Sequence, residues 1–415
     1  GTNLVSYFVD DDKKILRKKS INGVKILSFH ELILLSKQKT INNIIIAIPS
    51  LPLNKLNILV SKLTAITLNV SFINFNSFGE RNYLSLSNVS QKIMSEIFKR
   101  ETNKELKFVS KIHKKTILIT GAGGSIGSEL VKQSLICGAK VIALDHSELA
   151  LYNLEKDLNN QFPKNKLITI LGSINDTRIL DKIKKSYNVN IIFHAAAYKH
   201  VNLLENNIAL AIQNNILGTK NILDVFNNRK FEIIIISTDK AARPKSILGA
   251  TKRISEIMCQ NLRKSGNLKS VIKIVRFGNV FGSKGSAIEL FIEQINNGLP
   301  ITITDFRAKR YFMSIQEACN LVINVTKINE NEKIFILNMG KQIFLKDIIY
   351  KLAEIKNIKK DKIIIKKIGL KKGEKVVEEL SMNKKIHKTT NKEIFLVNEN
   401  YYKKNEFDKF FINLK

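Results

Sequence analysis

From Lys115 onward the chain alternates short apolar runs with stretches whose apolar positions recur at helical spacing. The runs Thr116–Ile119, Lys140–Leu144, Leu167–Leu171, Asn190–Ala197, Phe231–Thr238 and Val271–Arg276 read as strands, with helices between them. This alternation predicts a parallel sheet with helices on both faces. Such sheets bind ligands at the carboxyl ends of their strands. After Gly278 the alternation fades, and the remainder to Lys415 is predicted to form a smaller α/β lobe that supplies substrate contacts.

The first 80 residues form a second, smaller pattern. Val5–Val9 and Val24–Leu27 read as strands, Asp10–Asp12 as a turn and Phe29–Lys37 as a helix. Asn43–Ile48, closed by Pro49, reads as a buried parallel strand; Leu53–Ala65 is amphipathic and Val70–Ile73 is another strand. This is half of a doubly wound fold without its own first strand and glycine turn. Packing or regulation is expected of it, and nucleotide binding is not. Residues 81–114 read as a polar, helix-prone connector with a basic end at Lys104, Lys107, Lys111, Lys114 and Lys115. The expected division is 1–80, 81–114, 115–280 and 281–415, with some interleaving of the last two. The fold class is α/β: a doubly wound parallel (Rossmann) sheet, a smaller C-terminal substrate lobe and an N-terminal partial Rossmann-like domain.

Composition adds limits. The 415 residues are enough for two or three domains, and 44% are hydrophobic, ample for packed cores. The net charge is +32, but the lysines are spread along the chain without an Arg-rich stripe interleaved with aromatics. General surface charge is the expectation, and a nucleic-acid partner is not. Cys137, Cys259 and Cys319 are isolated, which fits buried thiols in a reducing compartment. The six His lack ligand spacing, so no metal centre is expected. No run approaches the ~20 apolar residues of a membrane span, and no signal peptide is visible. The abrupt start after Gly1 suggests a longer parent chain. The expected location is the cytoplasm, or the cytoplasmic face of the inner membrane for the full-length protein.

The most informative stretch is Thr120-Gly121-Ala122-Gly123-Gly124-Ser125-Ile126-Gly127, between a strand and a helix. Glycines let the backbone turn sharply and let a pyrophosphate approach, and the helix N-terminus attracts the anion. The strand Lys140–Leu144 ends in Asp145. A carboxylate at that tip bonds a ribose 2′-hydroxyl and repels a 2′-phosphate, which favours NAD over NADP.

The run Ile233–Ile236 leads into Ser237-Thr238-Asp239-Lys240, so a hydroxyl, a carboxyl and an amine emerge together at the ligand edge. Gly249-Ala250-Thr251-Lys252 follows inside a helix that reaches Cys259. Further marks are His194 to Val201, Asn215 to Thr219, Arg276 to Val280, Arg310 to Met313 and Gly373 to Lys375. With these motifs the chain resembles the extended short-chain dehydrogenase/reductase superfamily. More narrowly, it resembles the large nucleotide-sugar 4,6-dehydratases of polysaccharide biosynthesis that act on UDP-N-acetylglucosamine. The N-terminal unit resembles the extra domain of these large forms, which usually follows membrane helices. Three positions depart from the superfamily pattern. Leu248 replaces the usual Tyr four residues before the active-site Lys, a Tyr that the large dehydratases often lack. Ser173 stands where an Asp is usual, and Asp305 where relatives often carry His.

The resemblance implies a reaction in three stages: oxidation at the sugar C4, loss of water across C5 and C6, and return of the hydride to C6. It implies Lys240 as the C5 base and Asp239 as the C6 acid. Desolvation and the nearby Lys252 would lower the Lys240 pKa, whereas Asp239 must be held protonated in a closed site. A structural ion pair is the alternative for these two. Lys252 would hold the nicotinamide ribose, and Thr238 or a bound water would relay the 4-hydroxyl proton. Thr238 could equally be only a strand-end hydrogen bond. The implied cofactor site comprises Gly121, Gly124, Ser125, Ile126, Gly127, Asp145, Ser173, Ile174, Ala195, Ala196, Ala197 and Lys252. Lys199, Asn279, Arg310 and Glu374 are the substrate-binding candidates. Arg276 is expected to brace the fold and His194 to be a satisfied core residue. A homo-oligomer and retention at C5 are implied as well. Two alternatives stand beside the dehydratase: a nucleotide-sugar C4 epimerase, and a non-catalytic NAD-binding scaffold.

Overall fold

The computed structural model describes residues 5–48, 59, 62–63, 66–67, 70–74 and 82–84. It also describes 109–399, apart from breaks at 160, 164, 228, 265–269, 284, 331–332, 356–357 and 383–384. The chain divides into two compact units. The larger comprises Phe98–Glu293, Pro300–Ile349 and Ile365–Lys415; the smaller comprises Gly1–Ile97, Gln294–Leu299 and Tyr350–Ile364.

The larger unit is built on a nine-stranded sheet. Along the chain its strands are β1 (Thr116–Thr120), β2 (Lys140–Asp145), β3 (Leu167–Leu171), β4 (Ile191–His194), β5 (Glu232–Thr238), β6 (Val271–Phe277), β7 (Ile334–Leu337), β8 (Ile386–Lys388) and β9 (Ile394–Val397). Across the sheet the order is β8-β9-β7-β6-β5-β4-β1-β2-β3. Strands β1 to β7 pair in parallel, while β9 runs antiparallel to both β7 and β8. The order β3-β2-β1-β4-β5-β6 is that of the doubly wound dinucleotide fold. Its crevice opens at the carboxyl ends of β1 and β4, where the winding reverses.

The apolar runs are continuous because both faces are covered. Ile117, Ile119, Ile234 and Ile236 pack into one layer with helices α1 (Ser125–Ile136), α2 (Glu148–Leu158) and α6 (Ile315–Val325). Leu118, Ile233 and Ile235 pack into the other, with α3 (Thr177–Ser186), α4 (Gly218–Phe226) and α5 (Ile247–Lys264). Each fully buried aliphatic side chain contributes about 1.5–3 kcal/mol, so successive residues of each strand stabilise the two layers in turn.

The segment 281–415 interleaves deeply: β7, β8 and β9 all belong to the main sheet. The physical reason is Ile334-Phe335-Ile336-Leu337, buried at every position, which needs cover on both faces and finds it beside β6. Beside helices such as α6, the remainder forms short strand pairs, including Asn279–Phe281 with Phe312–Ser314 and Lys309–Arg310 with Ile343–Phe344.

In the smaller unit Val24–Leu27 pairs parallel with Phe8–Val9 and antiparallel with Ser20–Ile21. The helix Phe29–Gln38 opens on a capping box. The Ser28 hydroxyl accepts from the Glu31 N–H, and the Glu31 carboxylate accepts from the Ser28 N–H. Ile44–Ile46 pairs parallel with Val70–Asn74, which pairs antiparallel with Asn82–Leu84. The expectation of a buried strand at Asn43–Ile48 is corrected here. Among the described residues this is an edge strand covered on one face: Ile46 packs with Leu32, Leu63 and Val70, while Ile45 stays 46% exposed. Most of the stretch Leu53–Ala65 and most of the connector 81–114 lie outside the described residues; within the connector, Asn82–Leu84 is a strand and Ser110–Ile112 a 3-10 turn. Among the described residues no helix is long and apolar enough to cross a membrane.

Candidate active site

The glycine turn after β1 is packed more closely than any other residue would permit. Gly121 has φ +68°, and a Cβ there would lie 2.6 Å from the Ala196 nitrogen. A Cβ on Gly127 would come 1.9 Å from the Gly121 carbonyl oxygen. The turn, the end of β4 and the first turn of α1 (Ser125, Ile126, Gly127) are thereby drawn together. Helix α1 has Gly124 as its N-cap and no side-chain cap, which leaves its positive end to an anion. Asp145, at the tip of β2 and nearly buried, accepts from the Gly123 N–H at 2.9 Å through Oδ2 and from the Ser147 N–H at 2.9 Å through Oδ1.

A cleft of about 240 Å³ lies over this turn. Of the expected cofactor residues it is lined by Gly121, Gly124, Asp145, Ser173, Ile174, Ala195, Ala196 and Ala197. Gly123, His146, Ser147, Ala150, Tyr198 and Asn214 also line it, and sequence reasoning did not assign them. The glycine cradle that a Cβ would fill, the small alanines and the acid at the rim fit a dinucleotide.

The second group stands at the end of β5, where Asp239–Ala241 forms a 3-10 turn. Thr238 caps it, accepting from the Lys240 N–H and donating to Asp239 Oδ1 at 2.9 Å. Lys240 Nζ donates to the same Oδ1 at 3.0 Å. Asp239 is fully buried, and the Lys240 side chain keeps 21% exposure. Asp239 Oδ2 is also buried and has no hydrogen-bond partner. A buried acceptor left this way costs about 1–3 kcal/mol.

Helix α5 presses on this turn at Gly249, where a Cβ would meet the Lys240 carbonyl oxygen at 2.3 Å. Farther along α5, Lys252 is 6% exposed. Burial lowers its pKa to about 8, against the opposing pull of Glu256. Leu248, one turn earlier, is buried with Leu204 and Ala211 and brings no hydroxyl to the site.

His194 is a satisfied core residue: its ring nitrogens lie 2.8 Å from Thr120 Oγ1 and 2.9 Å from Thr219 Oγ1. Burial, helped by the charge on Lys252, lowers its pKa to about 3. Asn215 lies in a π-turn, Ile212–Leu217, a local irregularity frequent at functional sites. Its Oδ1 accepts from the Tyr198 N–H at 2.8 Å; its Nδ2 donates to the Tyr198 carbonyl at 3.1 Å and to Thr251 Oγ1 at 3.2 Å. It thus ties the loop after β4 to α5. In the sequence it opens the Asn215 to Thr219 motif, directly after two further amides, Gln213 and Asn214.

The substrate candidates take different positions. Lys199 is exposed just beyond β4. Asn279 is half-buried, and its N–H donates to the Tyr311 carbonyl at 3.1 Å. Arg310 is buried; its guanidinium donates to the carbonyls of Lys309, Lys375 and Val376, each at 2.8 Å. Glu374 accepts from the Lys371 N–H at 3.2 Å. The segment carrying Glu374 is pinned near the Asp239 turn, because Lys375 Nζ donates to the Ala242 carbonyl at 2.9 Å.

Comparison with known proteins covers both groups. A family model described as polysaccharide biosynthesis protein matches residues 117–399. EpsC of Bacillus subtilis, a probable polysaccharide biosynthesis protein, is 35% identical over 388 residues, which are 92% of this chain and 64% of EpsC. The chain therefore spans just under two thirds of that relative's length. Among solved structures, Pen from Bacillus thuringiensis superposes with a TM-score of 0.63 at 28% identity, covering 73% of this chain and 99% of Pen. DesIV, a dTDP-glucose 4,6-dehydratase from Streptomyces venezuelae with NAD and TYD bound, shares the fold with a TM-score of 0.56 at 21% identity, covering 64% of this chain and 88% of DesIV. Because the family match contains the glycine cradle, the cleft rim and the Asp239 turn, the chain belongs to the polysaccharide biosynthesis protein family.

Proposed function

We propose that this chain is an NAD-dependent lyase that removes water from UDP-N-acetylglucosamine, giving a UDP-4-keto-6-deoxy-N-acetylhexosamine. The observation that carries the reading is the Asp239–Lys240 pair at the carboxyl end of β5, with one buried carboxylate oxygen left without a partner. The Gly121–Gly127 cradle, Asp145 and Lys252 would hold NAD, which when bound would supply reversible hydride acceptance. Lys240 takes the C5 proton that the 4-keto group makes acidic. Asp239 gives a proton to the C6 hydroxyl as it departs. Thr238, whose hydroxyl already contacts Asp239, or a bound water moves the 4-hydroxyl proton in place of a tyrosine. Lys199, Asn279 and Glu374 bind the nucleotide and sugar in this reading, and Arg310, bonded to the carbonyls of Lys375 and Val376, fixes the segment beside Glu374. A C4 epimerase on the same scaffold needs no acid at C6, so the unpartnered oxygen favours dehydration. Incubation of the purified chain with UDP-N-acetylglucosamine should yield a product lighter by one water in mass spectrometry. Lys240→Ala and Asp239→Asn should each slow that loss by roughly 10²–10⁴-fold while NAD still binds. Near-normal turnover in both variants would refute the assignment.

A further inference from the structure

The two oxygens of Asp239 have different surroundings. Oδ1 takes the hydrogen bonds from Thr238 and Lys240, whereas Oδ2 takes none. What Oδ2 faces is Gly278. A Cβ on Gly278 would lie 3.0 Å from Oδ2 and 2.9 Å from the Tyr311 Cβ. The absence of that Cβ keeps open a corner whose walls are Asp239 and Tyr311.

Tyr311 is held there from both sides. Its carbonyl accepts from the Asn279 N–H, and the next residues, Phe312–Ser314, pair with Asn279–Phe281. The preceding Arg310 is fastened to the carbonyls of Lys375 and Val376. The half-buried phenol is kept above its ordinary pKa, mainly by desolvation and, while Asp239 is ionised, by that charge, against a hydrogen bond with Gln342. It therefore stays a hydroxyl donor at neutral pH.

Building on the dehydratase reading, we propose that this corner receives the departing C6 hydroxyl, with Tyr311 orienting its oxygen toward Asp239 Oδ2 and Gly278 providing the room. In the elimination the C5–H bond breaks and its proton passes to Lys240 Nζ. The freed electron pair forms the C5–C6 double bond. The C6–O bond breaks, and the oxygen leaves as water carrying the Oδ2 proton. Nothing is oxidised or reduced in this step. Tyr311 is a positioning residue, and the corner selects sugars with a primary 6-hydroxyl.

The test separates proton removal from water loss. The full chain with NAD and UDP-N-acetylglucosamine is incubated in D2O, and mass spectrometry reads deuterium uptake at C5 in recovered sugar alongside loss of water. Gly278→Ala should slow water loss by roughly hundredfold and Tyr311→Phe by about tenfold, with deuterium uptake in both within about threefold of the parent. If Gly278→Ala does not fold, Tyr311→Phe carries the test alone. Variants in which uptake and water loss fall in the same proportion, or in which neither changes, overturn the assignment while leaving the dehydratase reading standing. A parent chain that exchanges no deuterium and loses no water overturns both.

Discussion

Arg276 and Glu256 are joined by two hydrogen bonds, 2.7 Å from Nε and 2.5 Å from Nη2, and neither side chain is exposed. Glu399 grips the other side of the guanidinium at 2.7 and 2.8 Å, and Arg253 bridges both carboxylates at 3.0 and 3.1 Å. Two cations and two anions thus balance inside the protein, and Glu256 also accepts from Ser237, two residues before Asp239. Replacing Arg276 by Met leaves two buried carboxylates short of a partner. The expected loss is about 3–5 kcal/mol of stability, read from urea unfolding. Arg276→Lys should not restore it, because an ammonium lacks the planar fork that serves both carboxylates at once.

The position that normally carries a tyrosine is filled by Leu248, packed with Leu204 and Ala211. Introducing the superfamily's tyrosine should therefore harm the protein. Leu248→Tyr adds a ring and a hydroxyl to an apolar cluster and should cost about 1–3 kcal/mol, with no gain in turnover. Thermal unfolding and the water-loss assay check the two halves of this expectation.

Much of the fold was legible because its causes are local. Ile233–Ile236 can be satisfied only between two layers, and the glycines from 121 to 127 sit where a strand meets a helix. Asp239 and Lys240 are neighbours in sequence, so any strand ending there presents them together. The remainder depends on partners distant along the chain. Nothing near Arg276 announces Glu399, and nothing in the Arg310 motif shows that main-chain carbonyls of Lys375 and Val376 will take its guanidinium. The exposure of Ile45 was hidden for the opposite reason: an all-isoleucine run looks the same whether one face is covered or two.

Asp145 has two tasks, holding the glycine turn through the Gly123 N–H and presenting negative charge at the cleft rim. Asp145→Asn keeps the outline and removes the charge, and its single amide oxygen can accept from only one of the Gly123 and Ser147 N–H groups. NAD should bind roughly tenfold more weakly, about 1.4 kcal/mol. NADP should bind no worse or better than before, since the repulsion of its 2′-phosphate is gone. Calorimetric titration with both dinucleotides measures the change in preference.

His194 makes the acid limb of the stability profile predictable. In the folded protein its pKa is lowered from 6.5 to about 3, chiefly by burial. Above pH 6.5 the ring is neutral in both states and the histidine imposes no pH dependence. Below 6.5 the unfolded chain takes up a proton that the folded chain refuses, so stability falls progressively as pH drops toward 3. At about 1.4 kcal/mol per pH unit this loss amounts to at most roughly 5 kcal/mol. His194→Gln keeps hydrogen-bonding capacity for Thr120 and Thr219 and removes the titration. The variant should be less stable than the parent at pH 7, yet lose less between pH 6.5 and 4. Urea unfolding at several pH values measures the difference, and parallel slopes for the two proteins would show that His194 does not set this limb.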